Sequence, residues 1–135
     1  MFARGSRWRC LAPVSLALFA CSPQLSREDL KEHVRALRSS ASEARLLNEL
    51  RRGGRVTQGV FQAEAEAISD RAADALAALT RRPAPAAIHP QQEAAITRAL
   101  LLGDALRALI VRPEDGATAR FSELRGELQR LEQSL

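Results

Sequence analysis

From residue 26 onward, apolar positions recur at alternating spacings of three and four, the signature of helices that each bury one face. Leu30, Val34, Leu37, Ala41, Ala44, Leu47 and Leu50 form the first such stripe. Phe61, Ala65, Ile68, Ala72, Leu76 and Leu79 form the second. A third stripe is expected to face the core through Ile96, Leu100, Leu106 and Ile110, with Leu101, Leu102 and Leu109 widening its apolar arc. By that width it should be the most buried of the set. The fourth runs Ala117, Phe121, Leu124, Leu128, Leu131 and Leu135, a coiled-coil-like seam. No segment alternates apolar and polar residues as a strand would.

Breakers separate the stripes. Gly53-Gly54, the run Pro83-Ala84-Pro85 through Pro90, and Pro113 to Gly116 leave four helical segments at about 26–52, 56–82, 90–112 and 117–134. Ser26-Arg27-Glu28-Asp29 fits a capping box at the first N-terminus, and Arg51 and Arg52 complement the dipole at its end. Pro90 suits a first helical turn, where its missing N–H costs nothing. Four amphipathic helices with short connections predict an all-α, up-down-up-down four-helix bundle over 26–135. A dimer of helical hairpins would bury the same stripes.

The first 20 residues read differently. Arg4, Arg7 and Arg9 precede an apolar run from Leu11 to Ala20, the layout of a secretory signal peptide. That run is about 10 residues, against the ~20 needed to span a bilayer. Leu18-Phe19-Ala20-Cys21 resembles the lipobox of bacterial lipoproteins: Leu18, Ala20 and Cys21 match it, and Phe19 stands where a smaller residue is usual. The resemblance covers residues 1–21 only. It implies cleavage before Cys21, diacylglycerol on the Cys21 thiol and acylation of the new amino terminus. Residues 21–25 then become a short tether. Ser22, rather than an Asp, follows the anchor, which favours the outer membrane, facing the periplasm.

Removing the signal changes the composition. Three of the 20 basic residues leave with it, so 17 face 16 acids and the formal charge falls from +4 to +1. A nucleic-acid partner loses its electrostatic basis. Cys10 and Trp8 leave as well, Cys21 is capped by lipid, and only Phe61 and Phe121 remain as aromatics. Stacking sites for sugars or nucleobases are therefore not expected.

Antiparallel topology would gather the start of helix 1, the loop between helices 2 and 3, and the chain end at one pole. Arg27, Lys31, Arg81 and Arg82 would lie there as candidate headgroup contacts, or simply as solvated helix-end charges. Arg51, Arg52 and Arg55 would collect at the other pole as candidate contacts to an acidic protein partner, or pair with Glu114 and Asp115 of the neighbouring loop. Reactive chemistry is sparse. His33 and His89 are the only histidines, and no thiol is left for zinc. The Glu-x-x-His of di-iron bundles is absent, no base is positioned for Ser39, Ser40 or Ser42, and no glycine-rich phosphate loop exists. No metal or cofactor is expected. The expected function is that of a non-enzymatic, lipid-anchored interaction or structural protein of the bacterial envelope, with a homodimer as one possible assembly. The competing expectation is a carrier in which the bundle opens an apolar groove for lipid.

Overall fold

The computed structural model describes residues 23–112 and 116–135. They form four helices: α1 (Arg27–Arg52), α2 (Gln58–Arg81), α3 (His89–Val111) and α4 (Ala117–Gln133). Each helix packs on its two neighbours, α1 on α2 and α4, α3 on α2 and α4, with a lesser diagonal contact between α1 and α3. The up-down-up-down four-helix bundle is thus completed within one chain, without a second hairpin from a partner.

Local chemistry sets the helix ends. Ser26 Oγ accepts from the Asp29 N–H (3.0 Å) while the Asp29 carboxylate accepts from the Ser26 N–H (3.4 Å), the expected reciprocal capping box. Gly54, at φ +65°, ends α1 in the left-handed region that a side chain would disfavour. That turn lets the Arg55 N–H reach the Leu50 carbonyl (2.9 Å) and the Gly54 N–H reach that of Arg51 (3.0 Å). Thr57 Oγ1 caps α2 by accepting from the Val60 N–H. α3 starts one residue earlier than Pro90, at His89, with no side-chain cap.

The stripes of α1, α2 and α4 bury as their spacing requires. Leu30, Val34, Leu37, Ala41 and Ala44 are inaccessible, as are Ala65, Leu79, Phe121 and Leu128. Leu50, Leu76, Leu131 and Leu135 lie at the margin of the core. Complete burial of a Leu or Phe contributes about 1.5–3 kcal/mol, so these stripes hold the bundle closed.

Helix α3 departs from expectation. Leu100 and Leu101 are 51% and 48% exposed, and Ile96 and Ile110 are only partly covered. The buried line runs instead through Gln92, Ala95, Ala99, Leu102, Leu106 and Leu109. The helix that looked most buried therefore exposes two large apolar side chains. Its apolar residues surround the axis, so hydrophobicity alone does not choose a face. Small side chains do. Ala95 and Ala99 are buried on α3, as are Ala72 and Ala75 on the adjoining α2, and a close approach of the two helices needs small residues there.

Gln92 fixes the same orientation. It is 4% exposed, and its Nε2 donates to the Leu79 and Arg82 carbonyls (2.7 Å each) while Oε1 accepts from the Ala84 N–H (3.1 Å). One buried amide thereby satisfies two carbonyls left open at the end of α2 and an N–H of the loop. Asn48, 1% exposed, plays a comparable part between α1 and α4, where its Nδ2 donates to Thr118 Oγ1 (2.8 Å). Gln92→Ala strands three backbone groups in a covered site. We expect a loss of about 2–3 kcal/mol, read as a lower urea midpoint, whereas Gln91→Ala should cost less than about 1 kcal/mol.

Candidate functional site

The antiparallel arrangement brings the three expected segments to one pole. The Leu25 N–H donates to the Pro83 carbonyl (3.0 Å), pinning the chain that enters α1 onto the α2–α3 loop. Arg27 Nη1 donates to the main-chain oxygen of Leu135 (3.0 Å), which joins the end of the chain to the same pole. Arg82 lies 3.5 Å from the Asp29 carboxylate. Two of the four candidate headgroup cations, Arg27 and Arg82, are therefore engaged locally. Lys31 is half-buried and Arg81 exposed, and neither makes an ion pair among the described residues.

At the opposite pole the three arginines have separate settings. The Arg51 guanidinium lies over the Phe61 ring, 4.3 Å from its centroid, and is half-buried in a cation–π contact between α1 and α2. Arg52 is exposed, and the Arg55 N–H completes the α1 terminus. Glu114 and Asp115, their expected loop partners, lie outside the described residues, as do Leu18, Phe19, Ala20 and Cys21.

Between the poles, carboxylates and arginines pair across helix boundaries in a way the sequence reading missed. Glu132 of α4, with a side chain only 12% exposed, takes Arg35 Nε (3.1 Å) and Arg38 Nη1 (2.9 Å) from α1. Arg98 of α3 meets Glu127 of α4 at 3.0 Å, and Arg71 of α2 pairs with Glu43 of α1. Exposed pairs of this kind contribute about 0–1 kcal/mol each, so they select neighbours more than they stabilise. Spacing along one helix does not reveal them, because the partners stand on different helices.

The two histidines and the helix serines lie apart from one another among the described residues. His33 is half-buried in α1, and His89 at the start of α3 lies 3.3 Å from Glu93, both exposed. Among the described residues no three His, Cys, Asp or Glu side chains gather as a metal would require. Ser39 Oγ donates to Glu43 and Ser42 Oγ to the Arg38 carbonyl, so both are occupied by their own helix. The hollow lined by Ala105, Leu109, Ala117 and Phe121 holds about 10 Å³, room for at most one water. Wider hollows are open grooves: one of about 410 Å³ between α3 and α4, lined by Leu101, Asp104 and Glu123 among others, and one of about 310 Å³ between α1 and α2 over Leu46 and Val60. No helix among the described residues is long and apolar enough to cross a membrane. No protein-family model, no curated protein and no solved structure matches the chain.

One titrating group at the pole where α1 begins is clearly shifted. The two hydrogen bonds from Ser26, reinforced by Arg82 and His33, hold the Asp29 carboxyl below its ordinary value of 3.8, against a smaller opposing effect of desolvation. A carboxyl whose folded pKa is depressed stabilises the fold fully above its unfolded value and loses that contribution as pH falls through the folded one. Asp29→Asn should therefore lower the urea midpoint at neutral pH. The gap between variant and wild type should narrow below about pH 4 and close once both carboxyls are protonated; a gap that stays constant to pH 2 would contradict this origin.

Proposed function

We propose that the chain is a lipid-anchored protein of the bacterial envelope, held by diacylglycerol on Cys21 and acting, without catalysis, through contacts of its helical bundle. The lipobox-like run Leu18-Phe19-Ala20-Cys21 supports the anchor. The observation that carries the reading further is the position of Leu25. It is fully buried, and its N–H is bonded to Pro83 at the pole where α1 begins. Three residues lie between it and Cys21, and the four steps from one Cα to the next span at most about 14 Å fully extended. A lipid on Cys21 would thus keep this pole close to the bilayer. Two or three acyl chains make such anchoring effectively permanent, where one would be marginal.

The outer membrane, with the bundle in the periplasm, is the favoured site because Ser22 follows the anchor. The partner is read as a protein, met through apolar surface left outside the core, such as Leu46, Val60, Leu100 and Leu101, or through the Arg51–Arg55 end. A carrier of apolar molecules would need room inside the bundle, and the filled core weighs against that alternative.

Fractionation of a bacterial host expressing the full chain tests the anchor. Wild type should stay with membranes through a high-salt wash and leave only with detergent, while Cys21→Ser should lose most of its membrane-bound mature form. Mature wild-type protein recovered quantitatively in the soluble fraction would overturn the reading.

A further inference from the structure

The flank of α1 that faces α4 is basic along most of its length. Lys31, Arg35, Arg38 and Arg45 fall on it at helical spacings of four, three and seven. Its direction is set by contacts: Arg35 and Arg38 reach Glu132 of α4, and Asn48 reaches Thr118. On α4, Thr118, Arg125 and Glu132 stand seven residues apart, two turns each, on the line that meets α1. Arg125 therefore enters the same seam as a fifth cation.

Among the described residues three carboxylates, Glu28, Glu49 and Glu132, lie there against the five. Glu132 is shared by two arginines, and Glu49 stands 3.7 Å from Arg45. Arg35, Arg38 and Arg45 keep about a third to a half of their side-chain surface open to the outside of the seam. Acids are sorted to the other side. Glu32 and Glu43 stand off the flank on α1, and Glu66, Asp70 and Asp74 are exposed on α2. A nearly neutral domain thus presents one positive face and one negative one.

We infer that the bundle lies along an anionic bilayer surface with its α1–α4 seam against the lipid headgroups. The inference rests on the tether at Cys21 and names the partner of the tethered domain. Distance decides the orientation. In a bundle standing on its tether pole, Arg45 would be about 27 Å along α1 from Arg27, at 1.5 Å per residue. Surface potentials decay within about 8 Å at physiological salt, so an upright bundle would leave most of these cations unused. Arg27 and Arg82 at the pole are engaged with Leu135 and Asp29, as Arg35, Arg38 and Arg45 are with Glu132 and Glu49, so the advantage of the seam is the number of cations it aligns. Lying down brings all five cations to the headgroups and turns the acidic face of α2 to water. The tether, about 14 Å at full extension, permits the tilt.

Lipidated protein purified from membranes and reconstituted into vesicles tests this. A single thiol label is placed at Ser42→Cys, on the seam, or at Ala77→Cys, on the outer face of α2 and nearer the tether pole, so that an upright bundle would favour quenching of the second. A headgroup-level spin-labelled lipid serves as the quencher. In phosphatidylcholine vesicles containing one-quarter phosphatidylglycerol, the Ser42 label should be quenched severalfold more than the Ala77 label. That ratio should fall towards one in pure phosphatidylcholine, in high salt, and in an Arg45→Gln/Arg125→Gln variant that keeps the Glu132 pairs. Co-flotation with equal quenching at both labels in anionic vesicles overturns the orientation and leaves the tether standing. Absence of both labels from the floated vesicles overturns the tether, and the orientation with it.

Discussion

The buried amide of Gln92 couples the two hairpins of the bundle. A prolyl-rich connection supplies few hydrogen bonds of its own, because Pro83, Pro85 and Pro90 carry no N–H and break the helical ladder on either side. The end of α2 would be left with open carbonyls in a covered place. Gln92 closes that gap from the first turn of α3, and in doing so sets how α3 is rotated against α2. Once that rotation is set, Ala95 and Ala99 face inward, Leu100 and Leu101 face outward, and the α2–α3 loop becomes a firm floor for Leu25. The tether pole depends on this one side chain.

Much of the architecture was legible because most stripes were unambiguous. In α1, α2 and α4 a polar face opposes each apolar one, so period and burial agree residue by residue, and the capping box and the glycine pair marked the ends of α1. In α3 the signal failed for a definite reason. Leucine and isoleucine occur around the whole axis, and the longest side chains drew attention away from the alanines that actually pack. A cue was present in the polar residues. Gln92 continues the line of Ala95, Ala99 and Leu102, and Asn48 continues that of Ala41 and Ala44. A single amide prolonging an apolar stripe marks a buried hydrogen bond that fixes register, because burying it without partners would cost more than it could return.

The poles were legible in outline, since antiparallel helices must gather alternate ends. Which cations remained available was not, because Arg27, Arg82 and Arg51 find partners distant in sequence: Leu135, Asp29 and the ring of Phe61. The interhelical pairs of Glu132, Glu127 and Glu43 were hidden for the same reason. Residues 21–135 carry 17 basic against 16 acidic side chains, yet the two signs are unevenly placed. Pairing across the α1–α4 seam consumes the acid available there and leaves arginine in excess.

The proposed role lies with the surface and the tether, and every part of it rests on Cys21. Intact-mass measurement of the protein extracted from bacterial membranes addresses that residue directly. The account predicts a chain running from Cys21 to Leu135 with the added mass of diacylglycerol and, where the amino terminus is acylated, one further acyl chain. A chain that begins elsewhere, or one that begins at Cys21 and carries no acyl mass, would contradict it.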